Sequence, residues 1–320
     1  MRWSNSALYV AQACGEKFRR MYLERDFRPS GISAKRGTAA HKVANEAHMR
    51  QLRAKQEGRP REEYLTAVLP TAEEAKDIAA DSFQRALDEG CAFTADEKAV
   101  GVEKVTGDMK DQAVRMGAHY VGVIAPPIDP VAVERKTIIK PAGFEEEITG
   151  IVDLVSVEDR PVPEADSSNA SGILLPRKVR VPGPRETLEI VNDLKTSARS
   201  PSEDAVEKSQ QLPLYALIRA AETGKIPERL RLRTMVQTRT GKVSHVEQSA
   251  TTSTENLNAV AERLGAAMRS AKAGNFVPAN PDSWWCSERW CSYWSDCRFA
   301  MGRPSSVVVP DLSGQSGEGE

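Results

Sequence analysis

Several things that would place this chain in a functional class at once are scarce or missing. Only four histidines and five cysteines occur in 320 residues, and aromatic side chains make up 6%. Neither sign of charge is in excess: 44 Lys and Arg meet 45 Asp and Glu, for a net −1. That excludes the uniformly basic field of a protein that passively coats nucleic acid. It leaves open an acidic active site with local basic groups. No apolar run approaches the ~18 residues of a membrane span. The opening stretch, MRWSNSALYVAQACGEKF, has neither the long apolar segment nor the small-residue cleavage site of a secretory leader, so a cytoplasmic protein is expected. No G-x-x-x-x-G-K-[ST] loop occurs, which excludes a built-in motor of the P-loop type. There is no internal repeat.

What is present supports a folded core. Hydrophobic residues make up 40% and charged residues 28%, a balance that excludes wholesale disorder. The length suits about two domains or one decorated domain. Helical spacing of Leu8, Ala11, Phe18 and Tyr22 predicts a helix over 4–26, with Ser4 as its cap. Further helices are expected over 37–56, 71–90 and part of 94–114. From about 119 the pattern turns to β-branched runs: HYVGVI, VAVERKTIIK, EEITGIVDLVSVE, TLEIVNDLKTS, RLRLRTMVQTRTG and VSHVEQSA. Residues 160–185, rich in proline, read as a loop. The segment SEDAVEKSQQLPLYALIRAAE reads as a helix opening at Pro201 and Ser202 and kinked at Pro213. A last helix closes at Gly274, and the final residues read as a flexible tail. The order predicts an α/β fold: a central mixed sheet flanked by helices, with a helical N-terminal arm and a Cys-rich C-terminus.

Chemistry concentrates in two places. The first is a pair of apolar strands that carry charges. Asp153 lies in TGIVDLVSV, and Asp193 and Lys195 lie in IVNDLKT. Charge amid Ile, Val and Leu is costly unless it is paired or bound to metal. Alternate residues of a strand share a face, so Asp193 and Lys195 point the same way and Leu194 points into the core. Two carboxylates hold a hard cation such as Mg²⁺ or Mn²⁺, and a neighbouring lysine stabilises developing charge on a phosphate. An ordinary buried Asp–Lys salt bridge explains the same residues. Three other features accompany them: His41 in GTAAH, Glu134 in VAVERK, and Gln211 with Tyr215, one helical turn apart in QLPLY. His48, seven residues after His41, reads as an exposed helix histidine, and His119 and His245 have no motif around them.

The second place is NPDSWWCSERWCSYWSDCRFA, residues 280–300, which holds three of the five cysteines and four of the five tryptophans. Cys286, Cys291 and Cys297 are spaced Cys-x4-Cys-x5-Cys, and Cys14 is the candidate fourth member. Cys91 reads as a small buried apolar residue. Four reduced thiolates bind zinc or an iron–sulfur cluster. A zinc ribbon usually has two close pairs, which this spacing does not match. Trp284, Trp285, Trp290 and Trp294 either shield such a centre or stack on unpaired bases.

The order G-x-x-x-H, G-I-V-D, D-L-K-T, Q-L-x-x-Y resembles the RecB-type branch of the PD-(D/E)XK nuclease superfamily. The likeness is to CRISPR-associated and phage exonucleases and the AddB nuclease domain, and it spans roughly residues 4–300. It implies a restriction-endonuclease-like core at 119–275, a helical arm at 1–118 carrying Cys14 and His41, an iron–sulfur region at 276–303 and a tail at 304–320. It further implies that His41, Asp153, Asp193 and the Leu194 carbonyl hold Mg²⁺ or Mn²⁺, and that Lys195 is the catalytic lysine. Gln211 and Tyr215 orient the lysine, the water or the strand, and Glu134 stands in a supporting position. Cys14, Cys286, Cys291 and Cys297 then hold a 4Fe–4S cluster, with zinc as the other occupant. The activity implied is DNA exonuclease, on single strands and 5′→3′, in phage or bacterial recombination, repair or replication. DNA is the partner, with a separate helicase or recombinase beside it. One departure is at Asp193-Leu194: many relatives have glutamate at the third acidic position, or an aspartate followed by tyrosine. Two rival readings are a non-catalytic DNA end-binding or CRISPR-adaptation subunit, and a zinc-stabilised structural protein.

Overall fold

The computed structural model describes residues 1–141, 143–161, 185–238 and 241–302. A short strand β1 (Arg2–Trp3) leads into helices α1 (Asn5–Ala13) and α2 (Gly15–Phe18) and a π-helical turn at Arg19–Leu23. Four helices follow: α3 (Ile32–Gln56), α4 (Ala72–Asp88), α5 (Ala95–Val100) and α6 (Val102–His119). Then come β2 (Asp129–Ile139), β3 (Glu147–Pro161), β4 (Arg185–Ser197), α7 (Gln211–Thr223), β5 (Arg229–Gln237), β6 (Val243–Thr251) and α8 (Thr254–Lys272). The expected mixed sheet flanked by helices is what forms. Its path runs β1-β3-β4-β5-β6 with β2 also on β3; β1·β3 and β4·β5 are parallel and the rest antiparallel.

Each face of the sheet is covered by helices. Leu154, Leu194 and Met235 pack with Ala40 and Val43 of α3, Ala75 of α4 and Met116 of α6. Val152, Val155 and Val191 pack with Leu8 of α1, Leu214 and Ile218 of α7 and Leu264 of α8. Leu194 is therefore in the core, as strand alternation requires.

Several local expectations are corrected. The helix expected over 4–26 is broken at Cys14, whose extended backbone (φ −162°) ends α1 and caps α2. Ser4 does cap α1, accepting from the Ala7 N–H at 3.2 Å. HYVGVI is not a strand. His119 ends α6, and 120–124 continue as a π-helical turn that buries Tyr120, Val121 and Ile124. Tertiary burial of that apolar face overrides the β propensity of its valines. The helix expected from Pro201 begins only at Gln211. Pro213 falls in its first turn, where no N–H is required, so nothing kinks there. β1 was not foreseen: two residues are too few to show a period, yet Trp3 is fully buried. The proline-rich loop of 162–184 and the tail from 303 lie outside the described residues.

Candidate active site

β3 and β4 pair from Pro161–Arg185 up to Leu154–Asn192, and there the ladder stops. The next residue on each strand is a carboxylate, Asp153 or Asp193. Ile148, further along β3, pairs with both β2 and β1, so β1 occupies the side from which β4 has departed. The two aspartates thus flank a fork in the sheet. Across the fork the Leu194 N–H donates to Asp153 Oδ2 at 3.1 Å.

The remaining predicted residues reach this fork from three directions. α3 brings His41, whose Nδ1 lies 3.5 Å from Asp153 Oδ2. Lys195 shares a face with Asp193, and its Nζ donates to Asp193 Oδ1 at 3.0 Å. From α7, Gln211 Oε1 accepts from Lys195 Nζ at 2.8 Å, while Gln211 Nε2 donates to the Tyr215 hydroxyl at 2.7 Å. One turn of helix accounts for the last contact. Glu134 lies between the ladder pairs Val133–Leu154 and Arg135–Val152, and so opposite Asp153. Its φ of 39° is in the left-handed region, a conformation costing a side-chain residue about 1–3 kcal/mol and concentrated at functional sites. It lines the same small cavity as His41, Asp153 and Asp193.

The electrostatics are those of a site short of positive charge. Burial raises the pKa of Asp193 to about 6, helped by Asp153 and opposed by Lys195. Asp153 is raised too, chiefly by burial, against the Leu194 N–H and Lys195. Burial lowers the pKa of His41, so its imidazole is neutral and free to ligate, although the Asp193 charge and a hydrogen bond to the Leu194 backbone oppose the shift. Asp193 is 1% exposed; its Oδ2 lies 2.9 Å from Lys195 Nζ without hydrogen-bond geometry and has no other partner. Two desolvated carboxylates and a neutral imidazole are the donor chemistry of a hard divalent cation. As placed, no group of three or more His, Cys, Asp or Glu among the described residues forms a metal site. The donors fit the ion in kind, not as a closed coordination shell.

A family model described as the PD-(D/E)XK nuclease superfamily matches residues 2–162 and 180–298. The chain belongs to the PD-(D/E)XK nuclease superfamily. Both stretches carry the fork: Asp153 lies in the first, and Asp193-Leu194-Lys195 in the second. Two solved structures are similar at low identity. One, from Eubacterium rectale and provisionally named an exonuclease, shares 10% identity with a TM-score of 0.46, covering 99% of this chain and 94% of that one. The other, SSO0001, shares 11% identity with a TM-score of 0.32, covering 92% of this chain and 96% of that one. No curated protein matches.

In this nuclease the four selected cysteines also meet. Cys14, Cys286, Cys291 and Cys297 line one apolar cavity of 210 Å³, together with all four clustered tryptophans. Cys91 is elsewhere, half-buried beside Phe83 and Val105. Cys14 Sγ accepts backbone N–H groups from both ends of the chain, Lys17 and Ala279, each at 3.4 Å. Arg28 completes the seam: it pairs with Asp296 at 2.7 Å and stacks 4.4 Å from the Tyr293 ring. Trp284 and Trp290 are 63% and 51% exposed, whereas Trp285 and Trp294 are partly buried.

One histidine reading changes. His48 is not exposed but fully buried: its Nδ1 bonds Gln51 Oε1 (2.7 Å) and its Nε2 the Tyr120 hydroxyl (2.6 Å). Gln51 accepts, so Nδ1 carries the proton and Tyr120 donates. His119 and His245 pair at 3.2 Å across α6 and β6. Behind the aspartates, buried Arg233 bonds Asn192 and pairs with Glu247 at 2.8 Å. The sequence hint for Arg233 was an arginine amid a buried strand, RLRLRTMV.

Proposed function

We propose that this nuclease is a metal-dependent DNA exonuclease of the RecB-type branch, acting on single strands. The observation that carries it is the fork, where Asp153, Asp193, Lys195, His41, Gln211 and Tyr215 converge and two desolvated carboxylates face one ammonium and an imidazole. His41, Asp153, Asp193 and the Leu194 carbonyl would hold Mg²⁺ or Mn²⁺. Once bound, the ion lowers the pKa of a water and offsets charge on the phosphate. Lys195 places an ammonium where a non-bridging phosphate oxygen gains charge, and preorganised charge of this kind contributes about 10²–10³ in rate. Gln211, oriented by Tyr215, keeps that ammonium from collapsing wholly onto Asp193. A 720 Å³ groove opens beside His41 and Lys195 and admits a strand. The 5′→3′ polarity, the setting in recombination or repair, and a separate motor rest on the sequence resemblance alone.

The test is degradation of 5′- and 3′-labelled single- and double-stranded DNA with Mg²⁺ or Mn²⁺. Loss of metal-dependent products in Lys195→Ala supports the reading. Equal degradation by both proteins would sink it.

The cysteine cavity belongs to the same proposal. Cys14, Cys286, Cys291 and Cys297 would hold a 4Fe–4S cluster that clamps the two chain ends, and N–H groups on Cys14 Sγ suit a thiolate ligand. A brown preparation with iron and labile sulfide in equal amounts, bleached in Cys14→Ser, is expected. Bound zinc in a colourless protein would replace the cluster by a structural zinc.

A further inference from the structure

The groove beside the aspartates is lined on one wall by the start of α3. Ser33 and Ala34 of its first turn line the groove; the Ala34 N–H donates to Gly31 O at 3.0 Å, and the N-cap, Gly31, has no side chain to satisfy the N–H groups ahead of it. The positive end of a 25-residue helix therefore opens there. Arg36, one turn on, lines the same groove. It is 6% exposed and has no ion-pair partner among the described residues. Its Nη1 donates to Gln112 Oε1 at 2.7 Å, while its buried Nε has no hydrogen bond. Lys42 and Lys195 add two cations, and Glu134 a single carboxylate. A buried guanidinium with an idle donor is unfavourable for stability and is relieved by an anion brought up to its positive charge. At 720 Å³ the groove lies within the roughly 300–1,000 Å³ of ordinary ligand sites.

We infer that this groove holds a phosphate subsite distinct from the carboxylate pair: Arg36 and the first turn of α3 grip one phosphate of the strand while the scissile phosphodiester lies at Asp153 and Asp193. The phosphate is either internal or the terminal phosphate of a 5′ end; both offer the same oxygens. The subsite would set the register of the strand and so the length of each product. It rests on the nuclease reading, so binding and cleavage must be read separately.

Fluorescence anisotropy in EDTA, with 5′-phosphorylated and 5′-hydroxyl single-stranded oligonucleotides over a salt series, measures the first. Cleavage of the same oligonucleotides with Mg²⁺ measures the second. Two variants serve, each with opposite effects on fold and on binding. Arg36→Met removes a buried unpaired charge, so Tm should hold or rise. Ser33→Asp puts an acid in a first helical turn, which also favours the helix. Both should weaken binding, Arg36→Met by roughly 10-fold or more, with its salt slope reduced by about 0.7, the value of one single-strand phosphate. Loss confined to the 5′-phosphorylated oligonucleotide identifies the terminal phosphate; equal loss on both identifies an internal one. If either folded variant binds with wild-type affinity and slope while wild type cleaves, the subsite is refuted and the nuclease stands. If wild type neither binds nor cleaves, the nuclease reading falls and the subsite with it.

Discussion

Replacing Asp193 by asparagine should make the metal-free protein more stable and the enzyme inactive. The carboxyl is 1% exposed and titrates at about 6 instead of the ordinary 3.8. Burial is the main cause and the charge on Asp153 adds to it, while Lys195 opposes it. An acid whose folded pKa is raised is destabilising wherever it is ionised: between about 4 and 6 the folded state holds the extra proton, so this residue's share of stability falls as pH rises through that window. A shift of about two units corresponds to about 3 kcal/mol above pH 6. Asn keeps the shape and removes the charge, and Lys195 retains Gln211 as a partner. At about 2 °C per kcal/mol, the low end for domains of 150–250 residues, Tm should rise by about 6 °C at pH 8. At pH 5 wild-type Asp193 is largely protonated in the folded state while the unfolded chain has already ionised, so the gain should fall to about half, and it should vanish only below about pH 4. Added Mg²⁺ should raise the Tm of wild type and not of the variant, and DNA cleavage should vanish. Scanning calorimetry at the two pH values, with and without Mg²⁺, checks all of this. A variant that is less stable than wild type at both pH values would refute the reasoning, because the Lys195 ion pair would then outweigh the desolvation of the carboxylate.

Two further outcomes are expected. A Cβ on Gly15 would lie 2.6 Å from the backbone of Phe276 and Val277, where Gly15 N–H donates to Val277 O at 2.7 Å. Backbone cannot yield as a side chain does, so Gly15→Ala should cost about 1–3 kcal/mol by thermal melting and loosen the cysteine seam, read as faster proteolysis near 276–298. His48 is buried neutral, with its pKa lowered by desolvation to about 4. The unfolded chain takes that proton first, so stability is complete above pH 6.5 and is lost by about 3 kcal/mol as pH falls to 4. Urea titrations at pH 7.5 and 4.5 should show His48→Gln with a flatter acid limb than wild type.

How far the sequence could be read depends on the range over which each signal acts. Asp153, Asp193 and Lys195 stood out because charges inside Ile-Val-Leu runs have few physical excuses. Period two then placed Asp193 and Lys195 on one face, and a helical turn did the same for Gln211 and Tyr215; the contacts at 3.0 and 2.7 Å follow those rules. His48 was misread because helical spacing says which face a residue shares, not which face is covered. It lies on the face that α6 and Tyr120 bury. HYVGVI was misread because propensity is weak beside burial, and Pro213 because the helix begins ten residues later than its first proline suggested.

By itself, then, the sequence determined the alternation of helices and strands, the identity of the charged residues that a buried strand would not otherwise tolerate, and the exclusion of a membrane span or P-loop motor. These are local matters of period, composition and desolvation. Only the tertiary structure decided that β4 leaves β3 after Asn192, so that two aspartates 40 residues apart flank one fork. It alone brought Cys14 beside the C-terminal triplet, left Arg36 Nε without a hydrogen bond, and pushed the pKa of Asp193 to about 6. The physical reason is that desolvation and unpaired hydrogen-bonding groups depend on what surrounds a side chain in space, and those neighbours come from segments far away along the chain.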